Sequence, residues 1–461
     1  MVTGKDLIRL GYKPSKWFSE AIKSLNEYPW NDSKASDEAI KIICDRLLPP
    51  PVIMPHKSPK PYRLNLDASN ADELKNRKMV TNTMDILMKT PTVLEGSIMP
   101  DACPTGRLGQ IPVGGVVVTK NAIHPNMHSA DVCCSMYSSE LDFIDPKKVL
   151  DVAEKATHFG HGGRTDGLYT LHEYLLDLFE RNPFLNSPKT LAKAKSHLGT
   201  QGDGNHFLFV GKSEKTGKTM MVTHHGSRGV GADLYKAGIK VAERYRKELS
   251  PDTDPLNAWI PSDTKDGKDY WDALLIVKMW TRLNHRVIHE EVMENLGIFN
   301  TNNIWNPHNF VFKSGERYYH AKGATPLSWH HVPDGHADDL RLIPLNMSQP
   351  VLIVKGEYSE TNIGFAPHGA GRNISRSEHS RRMATTGMTK EDVFKKETAG
   401  LDVRFFSGEI DLTELPSAYK NAHEVVEQIE KYNLAQVVDR IMPYGSIMAG
   451  HQDAPWKRKK K

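Results

Sequence analysis

Cysteine is scarce in this chain: four in 461 residues, at positions 44, 103, 133 and 134. No Cys-x-x-Cys pair occurs, which excludes zinc-finger and zinc-ribbon spacing. Four cysteines in a chain this long also do not make a disulfide-stapled secreted scaffold. No apolar run reaches the roughly 20 residues that span a bilayer, and no secretory signal precedes the first charged segment. A reducing, cytoplasmic setting is the expectation, with no membrane partner. Charge of one sign is also missing. Sixty Lys and Arg stand against 56 Asp and Glu, a net +4, which does not by itself declare a nucleic-acid partner. Internal repeats, long low-complexity tracts and Gly/Ser-rich linkers are absent as well.

The composition is that of an ordinary globular protein, 39% apolar and 25% charged. Length alone suggests two or three domains. The chemically informative motifs, however, spread over about 275 residues, from Asp101 to Arg376, with no linker between them. The expected organisation is an N-terminal helical lead-in with a Pro-rich connector over 1–62, a single large catalytic domain over 63–450, and a basic tail over 451–461. The tail, ending Trp456-Lys-Arg-Lys-Lys-Lys461, reads either as a solvated terminus or as a supplement to RNA binding through phosphate contacts.

Apolar periodicity predicts helices over 74–90, 232–249, 270–296 and 417–432. Strand-like runs fall at 113–119, 135–141, 207–210, 220–223, 309–312 and 351–355. The mixture, with many non-helical connections, predicts an α+β fold with mixed β-sheets surrounded by helices. His285 and His289, four apart on a helix, read as helix-surface or satisfied core residues. His158, His161 and Arg164 read as a mobile surface loop, and His330, His331 and His336 as an exposed insertion.

The densest motif is Phe-Ala-Pro-His-Gly-Ala-Gly-Arg-Asn-Ile-Ser-Arg at 365–376. Small residues at Gly369, Ala370 and Gly371 let a large ligand approach the backbone. Arg372 and Arg376 can grip phosphate oxygens, and His368 among them can attack a phosphorus centre. A glycine turn with solvated arginines is the bland alternative. Metal-ligand types are scattered over about 180 residues: Asp131, Cys134, His206, His224 and His308. Carboxylate, thiolate and imidazole suit a borderline divalent ion. Each residue sits at the end of a short apolar run beside Gly or Asn, where functional groups are usually displayed.

These blocks resemble the RtcB-type RNA ligases. The resemblance rests on Met-Pro-Asp at 99–101, Pro-Val-Gly-Gly-Val at 112–116, Asp131 with Cys134, and His-Leu-Gly-Thr at 197–200. It continues through Gly-Asn-His-Phe at 204–207, His-His-Gly-Ser-Arg-Gly at 224–229, His-Asn at 308–309, Lys-Gly-Ala at 322–324 and the 368–376 block, all in order. It implies a ligase that uses GTP and two Mn2+ ions to join an RNA 3′-phosphate or 2′,3′-cyclic phosphate end to a 5′-hydroxyl, in tRNA splicing or RNA repair. His368 would carry GMP as a phosphoramidate and Asp101 would orient or deprotonate a reacting group. Cys134 would bridge both ions, with His206 and His224 completing one site and Asp131 and His308 the other. Arg228, Lys322, Arg372 and Arg376 would hold phosphates. Asn205, Phe207, Gly369, Ala370, Gly371 and Tyr419 would contact the nucleotide. Whether an activating protein partner is required stays open.

The chain departs from the family pattern at the base-reading wall. Phe209 stands where the family usually has glutamate, Leu345 and Asn346 replace a Gly-Ser pair, and Ala449 replaces a terminal lysine. Cys103 replaces a histidine, either as a structural thiol or as a neighbour of the metals. The competing readings are a metal-dependent phosphohydrolase, a non-catalytic RNA-binding relative, and a ligase with altered nucleotide preference.

Overall fold

A computed structural model describes the chain apart from Lys16 and residues 30–35, 49–51, 167–168, 300–301 and 452–461. The basic tail, and three of the prolines of the connector, therefore lie outside the described residues. Two compact units emerge. One comprises residues 1–53 with 248–251, the other the remainder of the chain. In the first, helices Gly4–Arg9, Trp17–Glu27 and Asp37–Leu47 close over Leu7, Phe18, Ala21, Leu25, Ile40 and Cys44. Their termini are fixed locally: Thr3 and Asp6 form a reciprocal capping box, and the Ser36 hydroxyl accepts from the Ala39 amide.

The larger unit is α+β, as the interspersed patterns predict, and its sheets are mixed. Five strands run in the order Tyr62–Leu64, Val93–Cys103, Val113–Lys120, Arg317–Lys322, Asn309–Ser314. The first pair is parallel and the others antiparallel. A second sheet runs Arg341–Pro344, Val351–Lys355, Gln436–Met448, Phe207–Ser213, Thr219–His225, Ser135–Glu140, Asn303–Pro307, with Asp402–Phe405 added in parallel to Gln436–Met448. This sheet curls until its two ends meet. The Asn306 side chain spans them, donating to the Leu342 carbonyl at 3.1 Å and accepting from the Leu342 amide at 2.8 Å.

Helix Lys265–Leu296 packs on this sheet. It starts five residues before its apolar stripe, because the Thr264 hydroxyl caps the Gly267 amide at 3.0 Å, and it ends in a left-handed Gly297. Helix Arg228–Leu249 likewise starts earlier than its apolar pattern. Residues 417–432 begin as a short 3-10 turn, Pro416–Ala418, and only Ala422–Lys431 is α-helical, capped by Asn421.

Two surface expectations are corrected. His331 is half-buried, its ring packed among Phe312, Tyr319 and Phe365. The 158–164 loop is tied down rather than loose. Arg164 donates to the Ala156 carbonyl at 3.0 Å, the Gly160 amide to the Gly202 carbonyl at 2.7 Å, and the Arg164 amide to the Ser196 carbonyl at 2.7 Å.

Candidate metal and nucleophile site

Five strand ends converge on one point. Ser135, His225 and Pro307 lie side by side in the curled sheet. Cys134 and His308 each lie one residue beyond that rung, at the rim of the sheet, and His224 one residue inside it, opposite Met136. Strand alternation then separates neighbours. His224 faces the rim, whereas His225 faces helix Lys265–Leu296, where it stacks on His285 with centroids 3.5 Å apart and takes part in a hydrogen bond with Asn284. His225 is fully buried there and does not line the cleft. His285 and His289 are satisfied core residues. Both bond the Thr223 hydroxyl, at 2.7 and 2.9 Å, and reach Ser135 and Ser139 in turn.

The five expected ligands form two triads that share Cys134: Cys134 with His224 and His308, and Asp131 with Cys134 and His206. This pairing differs from the expected one. His224 sits beside His308, with Nε2 atoms 3.2 Å apart, and His206 Nε2 lies 3.1 Å from Asp131 Oδ2. The Cys134 sulfur lies 3.2 Å from His224 Nε2 and 3.6 Å from His206 Nε2. Backbone carbonyls fix two of the rings. His206 Nδ1 donates to the Gln201 carbonyl at 2.6 Å and His224 Nδ1 to the Asn205 carbonyl at 3.1 Å. Both Nε2 atoms are thus aimed inward, that of His206 onto Asp131 Oδ2, so that a cation would displace the proton held between those two.

The electrostatics fit a divalent cation. Burial pushes His224 down to about 3, reinforced by the neighbouring imidazoles, and drives His308 well below the ordinary histidine range. Both rings are therefore neutral ligands. Burial would raise the Asp131 carboxyl, but the His206 hydrogen bond and charge outweigh it and hold it near 2. Burial and the Asp131 carboxylate push the Cys134 thiol well up. A cation at the shared position would reverse that, since a coordinating thiol loses its proton. Soft sulfur, imidazole and one carboxylate suit Mn, Fe, Co or Zn better than Mg or Ca. Gly226 is required here, because a Cβ at that position would run into the Asp131 carboxylate.

His368 follows strand Phe365–Pro367, which pairs with Ala324–Pro326. Its ring centroid lies 4.9 Å from that of His308. Asp101, on the other sheet, is fully buried. Its Oδ2 accepts from His368 Nδ1 at 2.5 Å and from the His368 amide at 3.1 Å. This holds the proton on Nδ1 and leaves Nε2 with its lone pair. Gly371, at φ 71°, passes so close to the Asp101 backbone that a side chain would collide with it.

A cleft of about 880 Å³ opens over both groups. Asn205, Phe207, Lys322, Gly369, Ala370, Arg372, Arg376 and Tyr419 all line it, as does the half-buried Cys103. Cys103 belongs to neither metal triad among the described residues. Arg228 stays behind the metal ligands, donating to Thr200 Oγ1 at 3.1 Å and the Gly160 carbonyl at 2.8 Å, and does not line the cleft. Glu414 and Lys420 are functional residues that sequence reading missed. Glu414, with a side chain 1% exposed, accepts from Arg372 at 2.9 Å and Arg376 at 2.7 Å, and from the Tyr419 hydroxyl. Arg372 lies over the Tyr419 ring, 4.4 Å from its centroid. Buried Lys420 binds the Pro100 and Ala102 carbonyls, both at 2.8 Å, and so braces Asp101 from either side. The available signal for Glu414 was weak: two clustered arginines, whose acidic neighbour in sequence, Glu378, pairs instead with Arg381 and Arg382.

Known proteins are similar to this chain in sequence. The sequence model of the family described as "tRNA-splicing ligase RtcB" matches residues 168–449. The tRNA-splicing ligase RtcB of Archaeoglobus fulgidus is 26% identical over 344 residues, covering 66% of this chain and 69% of its own. That of Nanoarchaeum equitans is 25% identical over 352 residues, covering 67% and 71%. That of Pyrococcus abyssi is 26% identical over 310 residues, covering 57% of this chain but only 32% of the longer relative. With the family model spanning well over half the chain, this protein belongs to the RtcB family as a distant member.

Proposed function

We propose that this chain is an RNA ligase that joins an RNA 3′-phosphate, or a 2′,3′-cyclic phosphate once opened, to a 5′-hydroxyl through a nucleotidyl-histidine at His368. The observation that carries this reading is the Asp101–His368 pair beside the two triads. A buried carboxylate fixes the ring tautomer at the one histidine that both lines the cleft and lies next to a metal ligand without joining a triad.

His368 Nε2 would attack the α-phosphorus of GTP. A P–N bond forms, the Pα–O bond to the β-phosphate breaks, and pyrophosphate leaves. A 3′-phosphate oxygen of RNA would then attack the same phosphorus, breaking the P–N bond. Finally the 5′-hydroxyl would attack the activated 3′-phosphorus and GMP would depart. Asp131, Cys134, His206, His224 and His308 would hold two Mn2+ ions, which when bound withdraw charge from the phosphates. Arg372 and Arg376, latched by Glu414, and Lys322 would neutralise phosphate oxygens. Asn205 and Tyr419 would bound the nucleotide. No described helix is long and apolar enough to cross a membrane, consistent with a soluble RNA partner.

The test is labelling with α-labelled GTP and Mn2+ on wild type and on His368→Ala. An acid-labile adduct on wild type alone supports the proposal. Nucleotide turnover without an adduct on fully metallated protein would sink it in favour of hydrolysis.

A further inference from the structure

Strand Phe207–Ser213 is a ruler laid out from the metal site. Phe207 pairs in register with the ligand His224, their rings 5.3 Å apart. Phe209 lies two residues further along the same face, about 7 Å beyond at 3.4 Å per residue. That is roughly the span between an α-phosphate and its base. On the other flank, Met448 pairs with Phe207 and Ser446 with Phe209. All four line the cleft. This stretch of the cleft wall is therefore two phenyl side chains and a thioether, with one hydroxyl; Phe209 is itself 2% exposed, backed by Met136, Met220 and Val222. Ser446 is 2% exposed, and its Oγ has no hydrogen-bond partner among the described residues.

Reading guanine by its N1–H and N2–H2 edge calls for an acceptor, ideally a carboxylate. Every carboxylate lining the cleft is already committed. Asp131 belongs to a metal triad. Asp72 is held by Arg382 at 2.6 Å, Glu378 by Arg381 at 2.8 Å, and Glu414 by Arg372 and Arg376. Asn346 also lines this end, but its Oδ1 accepts from the Ser348 amide and hydroxyl, both at 3.0 Å. What remains uncommitted is neutral: the Asn346 NH2, the Asn373 Oδ1 and the Ser446 hydroxyl. The amide NH2 and the hydroxyl can each donate to N7, an acceptor that guanine and adenine share, and no charged acceptor is left to favour guanine.

We infer that this compartment takes purine nucleoside triphosphates as a class, adenine and guanine alike, bounded by the apolar Phe207 and Phe209 side chains with the buried Ser446 hydroxyl as a polar contact. The inference rests on the proposed nucleotide-dependent reading of the same site.

The test is equilibrium binding of the α,β-methylene analogues of GTP and ATP to the full, Mn2+-loaded chain, which cannot transfer a nucleotide. Affinities within about tenfold, the worth of one neutral hydrogen bond, are expected. A wider gap overturns the inference, and so does failure of both to bind. Ser446→Ala, a small change that preserves the fold, should weaken both analogues to a similar degree. Selective loss of one base overturns the inference. Phe209→Glu supplies a charged acceptor and should shift the ratio toward guanine by roughly 10–100-fold; an unchanged ratio on folded protein refutes the placement of the base. Self-labelling of wild type by GTP or ATP reports separately on the ligase proposal, because binding of the analogues requires no adduct.

Discussion

Asp101→Asn isolates the role of the carboxylate behind His368 with almost no change of shape. Asp101 Oδ2 accepts two bonds from one residue, from the ring at 2.5 Å and from the amide at 3.1 Å. A hydrogen bond to an ionised group contributes about 1.5–3 kcal/mol and a neutral one about 1. Trading two of the first kind for two of the second costs about 1–4 kcal/mol. If that stabilisation is expressed in the transition state for attack, the rate falls roughly fivefold to a thousandfold. The amide brings a second effect. Whenever its NH2 rather than its oxygen faces Nδ1, the ring must carry its proton on Nε2, and the nucleophilic lone pair is lost. The assay is the single-turnover rate of adduct formation at saturating nucleotide, with metal content and thermal melting measured in parallel. The loss should fall on the rate and not on nucleotide affinity, because Asp101 lies behind His368 and does not line the cleft. A rate within about threefold of wild type, at equal metal content, would refute the tautomer argument.

Three further outcomes follow from the geometry. Cys134→Ser should lower metal content at both sites together, because the sulfur is common to both triads; elemental analysis showing one site still filled would separate them. Glu414→Ala should destabilise the domain by about 3–5 kcal/mol in chemical denaturation, the usual cost of removing one partner from a buried ion pair, because Arg372 remains largely buried beside it. The metal-free protein should be sensitive to acid. Burial holds His124 at about 3, His128 at about 4 and His289 at about 3, whereas the unfolded chain titrates near 6.5. Between pH 6.5 and about 4 the unfolded state binds more protons. Stability therefore drops as the pH is lowered through that window, by about 1.4 kcal/mol per histidine per unit. Circular dichroism across that window would show this, and a flat stability curve from pH 7 to 4.5 would contradict it.

Much of this arrangement was legible in the residues, and the illegible part has identifiable causes. Strand Val351–Lys355 has the bounds that its apolar run Val-Leu-Ile-Val and the following lysine predict. The metal-ligand residues could be picked out because each breaks an apolar run beside Gly or Asn. Which of them pair could not, since that depends on strand register: His224 meets His308 only because Ser135 aligns with both Pro307 and His225. Helix starts were read late where polar caps lead in, as at Thr264, or where glycines look like breakers, as at Gly229 and Gly231. Those glycines are packing sites. A Cβ on Gly231 would strike the Ser227 side chain. His331 looked exposed because its neighbours are polar, yet three aromatic rings from distant strands enclose it. Backbone carbonyls that set imidazole tautomers, from Gln201 and Asn205, carry no side-chain signature at all.

The Asn306 bridge has a consequence for solubility. An open sheet ends in rows of unpaired amides and carbonyls that can recruit a strand from another chain. Here the first and last strands of the curled sheet face one another, and a single side-chain amide answers both backbone groups of Leu342. The fold thus covers its own seam with a residue that has no place in the chemistry. A chain carrying Asn306→Ala would keep every candidate metal ligand and His368, yet expose at that seam a template for aggregation.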